Sequence, residues 1–105
     1  MYVRVLPVVA REIEVESQEL KESIYGVLER LERGEIVPMP LCKPLPSIAR
    51  GLYELRFSDR AGEYRVFYFV KVKEAVYVIH AMRKKSQKIL GRIQDLLKTR
   101  VRSLL

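Results

Sequence analysis

Residues 51–82 read GLYELRFSDRAGEYRVFYFVKVKEAVYVIHAM, and their pattern decides the fold. Seven of the nine aromatic side chains fall between Tyr53 and Tyr77, among valines and leucines. Runs of β-branched and aromatic residues bounded by polar turns read as strands. The pattern predicts three of them, Leu52–Ser58, Tyr64–Val72 and Ala75–Met82. Asp59 to Glu63, containing Gly62, supplies the first turn. Lys73-Glu74 makes a tight second turn, although neither residue favours positive φ.

Upstream, residues 38–46 hold four of the five prolines, which excludes an interior helix or central strand and predicts an extended loop. Ser17 is a good N-cap, and Leu20, Ile24, Val27, Leu28 and Leu31 follow at helical spacing, so a helix is expected over 17–33 with Gly34 ending it. Pro7 suits the first turn of a shorter helix reaching about Val15, and Tyr2 to Leu6 alternates as a short strand. Downstream, Ile89, Ile93, Leu96, Leu97, Val101 and Leu104 form the apolar stripe of a last helix running from Ser86. The expected order is β-α-α-β-β-β-α, a single α+β domain over residues 1–105 with an antiparallel sheet packed against helices.

Composition narrows the function classes. A chain of 105 residues, 49% apolar and 31% charged, is long enough for one core and ordinary for a folded domain. No apolar run approaches the roughly 20 residues a membrane span needs, and no signal peptide is readable before Glu12, Glu14 and Glu16, so a cytoplasmic protein is expected. Cys42 is the one cysteine and cannot form an internal disulfide; with His80 as the one histidine, no zinc site from protein ligands alone is expected, nor any other cofactor. The five glycines make no phosphate-binding loop, and no serine sits in a nucleophile elbow.

Charge is uneven. Residues 1–49 carry 6 basic and 8 acidic side chains, whereas residues 83–105 carry 8 basic ones against Asp95 alone, matching the whole net charge of +7. Such concentration points to a polyanion, most often nucleic acid, although a solvated basic helix face and an acidic protein partner have the same signature.

Period-two counting lists the sheet faces once Arg56 is set opposite Arg65 and Val72 opposite Ala75. One face carries Tyr53, Leu55, Phe57, Tyr64, Val66, Tyr68, Val70, Tyr77 and Ile79, a plausible core. The other carries Glu54, Arg56, Arg65, Phe67, Phe69 and His80. Facing arginines repel unless a carboxylate or a phosphate lies between them, and Glu54 is near enough to serve. Close arginines are also expected to keep Glu54 ionised and oppose the charging of His80. An exposed face with an ordinary Glu–Arg cluster reads equally well; Phe67 and Phe69 either pack under a loop or stack on bases. One reaction suits these groups without metal or protein nucleophile: cleavage of RNA by its own 2′-hydroxyl, helped by a base, an acid and cations.

Three segments in order, Gly51-Leu52-Tyr53-Glu54-Leu55-Arg56, Tyr64-Arg65-Val66-Phe67-Tyr68 and His80-Ala81-Met82-Arg83-Lys84-Lys85-Ser86-Gln87-Lys88, resemble the phage-derived HigB branch of the RelE/ParE toxin superfamily. The resemblance implies a toxin of a type II toxin–antitoxin pair that cuts mRNA on the ribosome, held inactive by a cognate antitoxin, usually a helix-turn-helix DNA-binding protein. It implies that Arg56 and Arg65 clamp phosphate and that Lys84, Lys85 and Lys88 meet RNA or the transition state. Glu54 and His80 match recurrent acid/base positions, and Lys43, Arg50 and Arg83 join the RNA-binding set. The expected catalytic set is Glu54, Arg56, Arg65, His80 and Lys85, with the first four on one sheet face beside Lys84 and Lys85 at the start of the last helix. ParE-like relatives share the fold but poison DNA gyrase, so gyrase inhibition, or a non-catalytic RNA- or partner-binding module, is the alternative. An acidic or amphipathic antitoxin segment is expected to cover the basic surface.

Overall fold

Tyr2–Val5 forms the first strand (β1), and the chain then turns through Leu6 into two helices, α1 (Pro7–Glu14) and α2 (Gln18–Glu32). This computed structural model describes residues 1–72, 75–85 and 88–105. Pro7 opens α1, and the Ser17 hydroxyl caps α2 by accepting from the Leu20 amide at 3.1 Å. Gly34 follows α2 with φ of +79°, a left-handed conformation glycine adopts without a Cβ penalty. Four strands and a helix complete the chain: β2 (Cys42–Pro44), β3 (Leu52–Asp59), β4 (Gly62–Val72), β5 (Ala75–Lys84) and α3 (Gly91–Leu104).

The sheet order is β1-β5-β4-β3-β2. The expected antiparallel meander of β3, β4 and β5 is present, with Arg56 opposite Arg65 and Val72 opposite Ala75. Three features differ. β1 lies parallel to β5, so the sheet is mixed. The proline-rich loop contributes a three-residue edge strand, β2, against β3, which is where a proline-bearing strand is tolerated. The last helix begins at Gly91, so Lys84 ends β5 instead of standing at a helix start; Ser86 and Gln87, like the Lys73-Glu74 turn, lie outside the described residues.

Helices cover both sheet faces. Val9, Ile13, Leu20, Ile24, Leu28 and Leu31 of α1 and α2 pack against Leu55, Tyr64, Val66, Tyr68, Val76 and Val78. Leu97 and Val101 of α3 pack on the opposite face, against Leu52, Phe67, Phe69 and Ile79. Tyr77 and Ile79, expected with the first group, belong to the second. The cause is a pair of register shifts, one between Val70 and Val72, where β4 contributes an extra residue, and one between Phe67 and Tyr68, where β5 does, so the faces of β5 between them are exchanged. Phe67 and Phe69 are 1% and 4% exposed beneath α3, which removes them as a stacking platform for bases. At Gly51, φ is +84° and a Cβ would lie 3.0 Å from the Val70 carbonyl oxygen, so β3 can enter the sheet only through glycine there. No helix among the described residues is long and apolar enough to cross a membrane.

Candidate active site

The α3-covered face is not fully closed. α3 starts seven residues after β5 ends, and the gap leaves a pocket of about 190 Å³ lined by Glu54, Arg65, Phe67, Met82, Lys84, Lys85, Lys88, Arg92 and Ile93, among others. Its polar side is built by the pairing of β3, β4 and β5. Glu54 faces Phe67 across β3–β4, Arg56 faces Arg65, and Arg65 faces Met82 across β4–β5. Alternation therefore puts Glu54, Arg56, Arg65, Met82 and Lys84 on one side of three adjacent strands.

Glu54 is the centre of this cluster and is 1% exposed. Its Oε1 accepts from Arg56 Nε at 3.1 Å. Its Oε2 lies 3.5 Å from Arg65 Nε and 3.7 Å from Lys84 Nζ, and carries no hydrogen bond among the described residues. A carboxylate buried this deeply needs such cations around it, because isolated burial of the charge costs far more than surface exposure. Arg65 is itself 3% exposed, and its Nη2 donates to Glu63, a half-exposed carboxylate at the start of β4. The Arg65 guanidinium in turn holds Glu63 below the usual carboxylate range. Arg65 Nη1 is buried without a hydrogen-bond partner among the described residues. The Lys84 ammonium is depressed by burial, with Glu54 opposing that shift and Arg65 and Arg56 adding to it.

His80 shares the sheet face of Glu54 but does not line the pocket. It sits opposite Phe67 in the ladder, stacks on that ring at 5.9 Å and lies beneath α3. Its Nδ1 is 3.4 Å from Arg100 Nη1. Guanidinium nitrogens only donate, so Nδ1 accepts and the ring proton belongs on Nε2. Burial and then Arg100 push the His80 pKa down to about 4. The expected opposition to charging is present, but its source is burial and α3, not Arg56 and Arg65.

Arg83, also in the expected RNA-binding set, is among the residues lining the pocket, yet its guanidinium is held by acidic partners. Its side chain points to the other sheet face, stacks 5.1 Å over Tyr64, and donates to Asp59 at 2.6 Å and Glu16 at 2.7 Å. It ties the α1–α2 junction to the β3–β4 turn. Lys43 faces Glu54 across β2–β3 and is exposed; Arg50 is exposed in the loop before Gly51; neither lines the pocket. Lys85 and Lys88 are exposed on its rim. The sequence reading names Glu63 only as a turn residue and Ile93 only in the stripe of the last helix, and it does not name Arg92. Glu63 could have been found, since it lies two residues before Arg65 on the same face.

A mixed five-stranded sheet with two helices on one face and one on the other defines an α+β domain of the RelE toxin fold. Two comparisons agree. The chain belongs to the phage-derived Gp49-like protein family, whose model matches residues 11–101, and so to the RelE/ParE toxin superfamily. Among solved structures, the isolated E. coli RelE toxin is similar in fold, with a TM-score of 0.50 and 15% identity over 99% of this chain and 98% of that one. No curated protein matches the chain.

Proposed function

We propose that this protein is the toxin of a toxin–antitoxin pair and that it acts as a ribosome-dependent mRNA endonuclease. The observation that carries the reading is the Glu54–Arg65–Lys84 cluster in the wall of a cation-rimmed pocket, with Arg56 bonded to Glu54 just outside it. Cleavage driven by the substrate's own 2′-hydroxyl needs a proton acceptor, positive charge on the phosphorane and a proton donor for the departing oxygen. Glu54 Oε2, free of hydrogen bonds among the described residues, takes the 2′-hydroxyl proton. The 2′-oxygen attacks the adjacent phosphorus while Arg65 and Arg56 hold the non-bridging oxygens. Lys84, made more acidic by burial, gives its proton to the 5′-oxygen as the P–O5′ bond breaks. The products are a 2′,3′-cyclic phosphate and a 5′-hydroxyl. Lys85, Lys88 and Arg92 attract the strand, and His80, neutral near pH 7 and outside the pocket, supports α3.

A gyrase-poisoning relative needs no acid/base groups gathered around a phosphate-sized cation cluster, so the side chains favour RNA cleavage. A cognate antitoxin with an acidic or amphipathic segment complements the same rim. The test is mRNA cleavage on purified ribosomes, with end-group analysis, beside a gyrase supercoiling assay. Cleavage leaving cyclic phosphate ends, lost in Lys84→Ala, is the expected result. Gyrase inhibition with intact mRNA would overturn the reading.

A further inference from the structure

The catalytic cluster uses only one side of the pocket. Its remaining wall is apolar: Met82 from β5, and Ile89, Leu90 and Ile93 from the segment that leads into α3. Leu90 is 47% exposed and Ile89 and Ile93 are only partly buried, so this shelf faces the pocket instead of closing over it. A phosphate has no use for such a wall. Neither does a purely electrostatic contact with RNA, which an all-polar cleft would serve better.

We propose that the apolar shelf holds the base of the nucleotide flanking the cut, with that nucleotide's phosphate on the cation rim. The occupant is argued from charge and continuity. Lys84, Lys85, Lys88 and Arg92 line the same pocket as the shelf, and the described lining contributes one carboxylate, Glu54, already engaged by Arg56, Arg65 and Lys84. An apolar face framed by cations matches a flat base joined to an anion, and a base held there fixes the register of the strand over the cluster. The assignment rests on the RNA-cleaving reading for the ligand's class and goes beyond it by giving the pocket a base-binding role.

The test uses full-length, methyl-labelled protein titrated separately with adenosine 3′-monophosphate, ribose 5-phosphate and inorganic phosphate. Only the nucleotide should shift the methyl signals of Met82, Ile89 and Ile93, and Ile89→Ser should weaken it about tenfold while leaving phosphate affinity unchanged. Equal affinity for nucleotide and ribose 5-phosphate, or still methyl signals, would overturn the assignment. So would methyl shifts produced by an antitoxin segment but by no nucleotide, which would give the shelf to a protein side chain. Cleavage on ribosomes, run in parallel, separates the two failures. Intact cleavage without nucleotide-selective shifts removes the subsite alone, and selective shifts without cleavage remove the ribosomal reading alone.

Discussion

Arg65 was readable as a facing arginine from period-two counting, yet its burial was not. From the sequence, its face is simply not the core, and Arg65→Ala should leave the fold intact. The structure changes that expectation, because α3 covers the face and Arg65 is one of three cations around a Glu54 carboxylate that is 1% exposed. Removing one partner of a buried ion pair leaves an uncompensated charge, so Arg65→Ala should cost about 3 kcal/mol of stability as well as activity. Arg65→Lys separates the two effects. It keeps the charge, should fold nearly as well, and should still cut on the order of a hundredfold more slowly, because an ammonium lacks the planar fork. Urea unfolding and single-turnover cleavage check both. His80 gives a second residue-scale prediction. Its folded pKa of about 4 lies below its ordinary 6.5, so the unfolded chain binds a proton that the folded chain refuses. Stability should therefore be full above pH 6.5 and fall as the pH drops toward 4, by up to about 3 kcal/mol. Asp59 and Glu63, held below their ordinary values by Arg83 and Arg65, lose their contributions only under more acid conditions. The interval from pH 6.5 to 5 thus belongs to His80, and unfolding measured there should lose its slope in His80→Gln.

Elements were legible where local chemistry determines them. Ser17, the 3.6-residue stripe of α2 and Gly34 mark that helix, and Pro7 marks α1. What escaped depends on partners distant in the chain. Nothing in Tyr2–Val5 states that it lies parallel to β5, and Cys42–Pro44 becomes a strand only because β3 offers its edge. The register shifts at Val70–Val72 and Phe67–Tyr68 are equally silent, and they are why period-two counting puts Tyr77 and Ile79 on the wrong face. The candidate site was half legible for the same reason. Facing residues follow from hairpin counting, whereas the pocket's second wall comes from a helix whose docking no local pattern encodes. α3 offers the element-scale prediction. Leu97 is fully buried between α3 and the sheet, so Leu97→Ala should cost 2–5 kcal/mol, roughly as other core leucines do. Loosening α3 also readmits water to His80 and moves Arg100 away, so the His80 pKa should rise toward its ordinary value. An NMR titration of the variant measures this directly; an unmoved His80 would show that its environment does not depend on α3.

At the scale of the whole molecule, the concentration of charge in residues 83–105 divides into two populations that the sequence could not separate. Arg83 is locked to Asp59 and Glu16, and Arg100 donates to the Ile79 carbonyl at 2.6 Å beneath the sheet's covered face. These two hold elements together. Lys85 and Arg92 are exposed on the pocket rim and available to an incoming strand. Counterion release turns this division into a measurement, because each phosphate neutralised on a single strand steepens the dependence of log K on log salt by about 0.7. Binding of a short single-stranded RNA should therefore lose about that much slope in Lys85→Ala and again in Arg92→Ala, with little change in unfolding free energy. Arg83→Ala should do the opposite. It leaves the salt slope untouched while destabilising the fold, since Asp59, Glu16 and the Tyr64 face all lose their shared cation. Salt titrations from low to physiological ionic strength on the three variants, each paired with a urea melt, decide the matter. A slope that falls in Arg83→Ala as far as in Lys85→Ala would mean that RNA reaches the α1–α2 side of the sheet, and the binding surface would have to be redrawn around both faces.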